Sequence, residues 1–224
     1  MRRKIDVQTG ATAIILLAAG ASTRLGRPKQ LVLWNGEPLL RHSATVALSA
    51  RLGPVIVVLG AVERECRESL AGLSLEIVVN TAWAEGMGGS IAAGMIAVQN
   101  SVTPLQSVII MLCDQPYVSS ATLRSLCDEQ RRTESAVVAS RYCQHDGKLG
   151  VPALFTSQRF AALARLRGAL GGKQLIASES SPAFIDCPEA VADIDTPRIY
   201  QQLLLVRRVK LRNNALAISF PCFD

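Results

Sequence analysis

The sequence predicts a three-layer α/β/α domain, doubly wound, with a mostly parallel sheet. Three observations predict it. Five strand-length runs rich in Val, Ile and Leu show no polar alternation, which marks strands covered on both faces. Segments of helical length separate them. A loop of small residues follows the first run directly, at the place where open α/β sheets bind ligands.

Ala13 to Leu17 is the first strand and Pro54 to Leu59 the second, with a helix over Leu39 to Ala50 between them. A helix over Val62 to Leu70, a strand over Leu75 to Val79, a helix over Ser90 to Gln99 and a strand over Ser107 to Leu112 follow. Ser120 to Arg131 is the next helix and Ala136 to Ala139 the next strand. After residue 140 the pattern loosens. Gly147, Gly150 and Pro152 surround a strand-like segment, a helix is expected near Ser157 to Leu166, and glycines run from Gly168 to Gly172. A last β-like piece, Val191 to Ile194, leads through Asp195-Thr196-Pro197 into a helix ending near Leu205. No repeat or low-complexity linker divides the chain, so one domain is expected over 13–205. A basic extension at 1–12 and a tail at 206–224 flank it.

Composition agrees. Of 224 residues 49% are hydrophobic and 19% charged, enough to bury one core and too apolar for wholesale disorder. No apolar run approaches the roughly 18 residues of a membrane-spanning helix. The net charge of +6 suggests an anionic partner, but its distribution argues against nucleic acid. Residues 1 to 12 contribute +2 and residues 207 to 224 contribute +3, leaving +1 for the rest. Within that rest, residues 13 to 60 carry +4 and residues 61 to 130 are acidic. The cysteines at 66, 113, 127, 143, 187 and 222 contain no C-x-x-C pair, which fits buried thiols in a reducing, cytoplasmic setting rather than zinc or disulfides. Met1 to Ser22 has the outline of a secretory signal, yet the same stretch reads as a first strand running into a glycine loop.

That loop is Leu17-Ala18-Ala19-Gly20-Ala21-Ser22-Thr23-Arg24-Leu25-Gly26-Arg27-Pro28-Lys29-Gln30. Small residues let backbone amides approach an anion, and Arg24, Arg27 and Lys29 supply opposing charge. It is no Walker loop, since five residues separate Gly20 from Gly26 and no Gly-Lys-Ser/Thr follows; nor is it the dinucleotide fingerprint, whose second glycine would fall on Ser22.

With these residues in view, the chain resembles the nucleotidyltransferases that attach a nucleoside monophosphate to the molybdenum cofactor, especially molybdenum cofactor cytidylyltransferase. The resemblance spans roughly Ala13 to Leu205. Asn80-Thr81-Ala82-Trp83 with Glu85-Gly86-Met87-Gly88-Gly89-Ser90, Cys113-Asp114-Gln115-Pro116, and Gly150-Val151-Pro152-Ala153-Leu154-Phe155 carry it further. Where the family has Gly-Asp-x-Gly-Ala-Arg near the acceptor, this chain has Gly168-Ala169-Leu170-Gly171-Gly172-Lys173, without the acid. The resemblance implies a Rossmann-like nucleotidyltransferase fold, an NTP and molybdopterin as ligands, and Mg²⁺ at Asp114. It also implies CTP as the nucleotide, from Ala19 in the Leu-Ala-Ala-Gly string. A molybdoenzyme or its chaperone would be a further partner.

Nucleotidyl transfer is in-line attack on an α-phosphate, so it needs positioning and charge neutralisation more than covalent chemistry. Lys29 is expected to hold the phosphates throughout and Arg24 to stabilise the departing pyrophosphate. Leu17, Ala18, Ala19, Gly20 and Ser22 are expected to cradle the nucleotide, with Asn80 and Ser90 at base or ribose and Asp114 beside the phosphates. Mg²⁺ takes hard oxygen ligands, which makes Asp114 and Asp195 the candidate ligands and Asp193 a less specific one. Asp195 or Thr196 reads equally as a helix cap, as does Ser90, and Trp83 reads as packing. A hydrolase reading of Gly88-Gly89-Ser90-Ile91-Ala92 would need a placed histidine; His42 falls on a helix and His145 in a polar turn. Two alternatives stay open: transfer to another phosphorylated acceptor, and a non-catalytic protein that holds the molybdenum cofactor.

Overall fold

The structure, a computed structural model, describes residues 11–143, 147–169 and 171–213. Most of the basic extension, together with His145, Leu170, Cys222 and the chain past Asn213, lies outside the described residues.

β1 (Ala11–Ala18) is an inner strand of a seven-stranded sheet, and its alternation explains the layering. Ile14, Leu16 and Ala18 face one apolar layer, while Ala13, Ile15 and Leu17 face the other. Each buried Leu or Ile contributes about 1.5–3 kcal/mol, so an apolar strand is stable only between two covers. After a short hairpin of β2 (Leu33–Trp34) and β3 (Glu37–Pro38), α1 (Leu39–Ala50) covers the first face and leads to β4 (Val55–Leu59). The hairpin turn is Asn35-Gly36, both at positive φ, a strong two-residue turn signal. α2 (Glu63–Ser69) and β5 (Glu76–Val79) follow. α3 (Met87–Gln99) covers the second face, β6 (Leu105–Leu112) returns beside β1, and α4 (Ser120–Thr133) joins α1.

β7 (Val137–Arg141) and β8 (Leu149–Thr156) form an antiparallel pair, with β8 also antiparallel to β6. α5 (Phe160–Ala164) and α6 (Gly172–Ala177) add Leu163 and Ile176 to the second layer, and β9 (Ala183–Asp186) pairs parallel with β7. α7 (Pro197–Asn213) closes the described chain. The order β5-β4-β1-β6-β8-β7-β9 is the mostly parallel, doubly wound sheet expected from the sequence.

Four local expectations are corrected. Val191 to Ile194 is not a strand: a 3₁₀ turn covers Pro188–Val191, and Ala192 and Ile194 pack instead with Leu25, Trp34 and Leu203 in a third cluster outside the sheet. β5 is an edge strand with Glu76 and Val79 exposed, not one buried on both faces. The helix placed from Ser90 opens at Met87 after Gly86, which puts Ser90 inside it rather than at its cap. α7 does not end near Leu205 but runs to Asn213, so the boundary drawn at residue 206 falls within a helix.

Candidate active site

β5, β4, β1 and β6 are parallel, so the segments leaving their carboxyl ends share one edge of the sheet. Asn80, Gly60, the loop from Ala18 to Gln30, and Asp114 emerge there. The chain order reverses between β4 and β6 on either side of β1, the crevice where doubly wound sheets take ligands.

The loop is held from within. Ser22 adopts a left-handed conformation (φ 58°), donates its hydroxyl to Gln30 Oε1 at 3.3 Å and accepts the Lys29 backbone N–H at 3.1 Å. Gln30, fully buried, donates to the carbonyls of Ala18 at 2.8 Å and Gly20 at 2.7 Å. Leu17 and Ala18 have their side chains in the two core layers, and the carbonyls of Leu17 and Ala19 accept N–H groups of Cys113 and Ala61. A Cβ at Gly20 would meet no protein atom within 4 Å, so open space lies beside the backbone there.

Folding of the loop brings cations onto carboxylates far away in sequence. The Lys29 ammonium donates to Asp114 and, at 3.3 Å, to Asp195 Oδ1. Arg24, largely exposed, reaches Asp195 Oδ2 at 2.8 Å. Burial pushes the Lys29 ammonium down, but the Asp114 and Asp195 carboxylates outweigh it and hold the group above the ordinary lysine range. Asp195 is positioned by α7: Thr196 rather than Asp195 is the cap, accepting the Ile199 N–H at 3.3 Å, which leaves the Asp195 carboxylate for the cations. Arg27 instead lies over the Tyr200 ring of α7, 5.2 Å from its centre, and pins the loop to that helix.

Asp193 joins them. One carboxylate oxygen from each of Asp114, Asp193 and Asp195 lies within 4.8 Å of the others. Burial first, then the neighbouring Asp114 and Asp195 charges, raise the Asp193 carboxyl above the usual carboxylate range. Asp114 Oδ1 is buried without a hydrogen-bond partner. A buried carboxylate oxygen left open beside two more carboxylates is a donor set that fits a hard divalent cation.

Asn80 and Ser90 come together, though on each other: Asn80 Nδ2 donates to Ser90 Oγ at 3.0 Å, and Asn80 Oδ1 accepts the Ala82 N–H at 3.1 Å. Trp83 packs over Gly60, where a Cβ would lie 2.7 Å from the Trp83 Cβ. Gly86 (φ 126°) faces Gly168, whose carbonyl accepts the Gly88 N–H at 2.9 Å; the two glycine segments therefore close on each other.

The structure adds two polar residues that had no assigned role. Gln30 braces the loop. Gln115 donates to the carbonyls of Val151 at 3.0 Å and Ala190 at 2.7 Å, tying the residue after Asp114 to β8 and to the turn before Asp193. Their only signal was their place in Pro28-Lys29-Gln30 and Asp114-Gln115-Pro116.

Residues 14–183 match the family model of the MobA-like NTP transferase domain. The chain is similar to nicotine blue oxidoreductase of Paenarthrobacter nicotinovorans, 32% identical over 200 residues that cover 85% of this chain and 95% of that protein. It is also similar to purine catabolism protein PucB of Bacillus subtilis, 29% identical over 211 residues, 87% of this chain and 95% of PucB. Among solved structures, Rv0371c of Mycobacterium tuberculosis aligns with a TM-score of 0.73 at 30% identity, covering 88% of this chain and all of that one. A complex of Rv0371c with manganese aligns at 0.70 and 30% identity, covering 87% and 98%. The chain thus belongs to the MobA-like NTP transferase family and is a nucleotidyltransferase with a Rossmann-like fold.

Proposed function

We propose that the protein transfers CMP from CTP to the molybdenum cofactor, releasing pyrophosphate. The observation that supports this reading best is the meeting of Lys29, Asp114 and Asp195 beside the glycine loop, cations and carboxylates on one edge of the sheet. Ala19 in Leu-Ala-Ala-Gly favours the cytidylyl branch by resemblance. Residues 13 to 205, with the rest of α7, form the catalytic domain of a cytoplasmic enzyme.

In this reading the loop from Leu17 to Ser22 takes the triphosphate in the open space at Gly20, and Asn80 and Ser90 line the nucleoside side. Lys29 holds the phosphates through the reaction. Arg24, exposed at the rim, stabilises charge on the departing pyrophosphate. Asp114 and Asp195, with Asp193 beside them, would hold Mg²⁺, which when bound supplies a Lewis acid for the phosphate oxygens. Asp114 itself is buried, and Gln115 beside it is tied to β8.

The test is pyrophosphate release by the purified protein with Mg²⁺, each NTP and molybdopterin cofactor. Release with CTP and cofactor is expected. Release only with another phosphorylated acceptor would move the activity to that acceptor, and cofactor binding without release would make the protein a carrier, a reading that Ala169 favours.

A further inference from the structure

We infer that Lys29 occupies the cation place of the carboxylate cluster in the free protein, and that it leaves this place when metal and triphosphate enter together. The inference rests on the nucleotidyltransferase reading. Two of the three clustered carboxylates hold side-chain cations: Lys29 donates to Asp114 and Asp195, and Arg24 takes the second oxygen of Asp195. An incoming divalent ion therefore meets an ammonium on the same two carboxylates. Two cations cannot share that distance in a buried setting without strong repulsion; Lys29 and Asp114 have side chains only 19% and 8% exposed.

Lys29 is suited to leave. Its backbone is locked, since the N–H is held by Ser22 and the next residue is the buried Gln30 brace. Its ammonium is a compact charge on a four-carbon stem, so the stem can swing while the loop stays. A triphosphate in the loop offers it a new anion. The metal takes the vacated carboxylates and the phosphates take Lys29, so each ligand removes the obstacle to the other. Binding free energies are reciprocal, hence nucleotide and metal raise each other's affinity by one common factor.

The experiment measures Mn²⁺ binding to the full chain without nucleotide, by the loss of the free-ion electron paramagnetic resonance signal. Wild type is compared with Lys29→Met, Lys29→Gln and the charge-keeping Lys29→Arg, each checked for folding by thermal melting. Lys29→Met and Lys29→Gln are expected to bind Mn²⁺ at least tenfold more tightly than wild type, about 1.4 kcal/mol, and Lys29→Arg to stay near wild type. A crystal structure with Mn²⁺ and a non-hydrolysable CTP analogue is expected to show the Lys29 ammonium out of hydrogen-bond reach of Asp114. Equal or weaker Mn²⁺ binding in the two neutral variants would overturn the inference, as would an ammonium still on Asp114 beside bound Mn²⁺ and nucleotide. If wild type still releases pyrophosphate in either case, only this inference falls; if it releases none with any NTP and acceptor, the functional reading falls separately.

Discussion

The buried carboxamide of Gln30 donates to the carbonyl of Ala18 at 2.8 Å, bridging the end of β1 to the turn that carries Lys29. Its other donor contact reaches Gly20, so one side chain shapes the loop on both sides of the open space. Gln30→Ala takes the donor from the buried Ala18 carbonyl, at about 1–3 kcal/mol, and from the Gly20 carbonyl, which water can reach at less cost. Melting is expected several degrees lower, with a raised KM for the NTP. Gln30→Glu sets a carboxylate against those carbonyls and should be worse than Ala. Steady-state kinetics and calorimetry check both, and an unchanged KM in Gln30→Ala would remove the loop-bracing role.

Arg24→Ala should separate chemistry from stability. Arg24 is 73% exposed, so its surface contact with Asp195 contributes little to folding. Its loss should lower turnover by about 10² to 10³, or ~3–4 kcal/mol of transition-state stabilisation, while melting barely moves. Lys29→Ala should show a similar fall in rate and also melt lower, because it leaves Asp114 buried without its cation.

Metal binding is readable without catalysis. A ligand that binds only the folded state raises the melting temperature in proportion to the logarithm of its concentration. Mn²⁺ or Mg²⁺ with CTP is expected to stabilise wild type and to lose that effect in Asp114→Asn. Chelation by EDTA should reverse the shift in wild type. A full shift in Asp114→Asn would move the metal elsewhere.

Two glycines are expected to answer oppositely to the same change. Gly86 has a φ of 126°, and a Cβ there would lie 2.3 Å from the Gly168 carbonyl oxygen, so Gly86→Ala should strain the backbone and unfold the protein at markedly lower temperature. Gly20 has open space, so Gly20→Ala should melt like wild type yet bind nucleotide more weakly. Differential scanning fluorimetry with and without CTP distinguishes the pair.

Stability should fall in alkali. Burial pushes the Cys66 and Cys187 thiols up to about 12, with the Glu65 and Glu189 charges adding to it, from an unfolded value of 9.0. Between pH 9 and 12 the folded chain binds more protons than the unfolded chain, so unfolding free energy declines with pH. This contribution is complete below pH 9 and lost as pH rises towards 12. Urea midpoints across that range should fall, and Cys66→Ala should lessen the slope.

Much of the fold was legible because periodicity is local. The uninterrupted apolar runs of β1, β4 and β6 require cover on both faces, and that requirement alone dictates layers and a parallel core. Where cover came from elsewhere, periodicity misled: Ala192 and Ile194 are as apolar as a strand but pack on Trp34 and Leu203. The mirror case is β9, whose four residues half face solvent at the sheet edge and so left only a faint pattern.

By itself the sequence determined the doubly wound class and the glycine loop after the first strand, and it named Arg24, Lys29, Asp114 and Asp195 as candidate charged groups. Tertiary structure decided how those groups meet. Lys29 and Asp114 stand 85 positions apart, and Arg24 and Asp195 stand 171 apart. Their contact depends on β1 and β6 lying side by side and on α7 packing over Leu25 and Trp34. Long-range pairing is set by which surfaces bury one another, and no local pattern of residues records that.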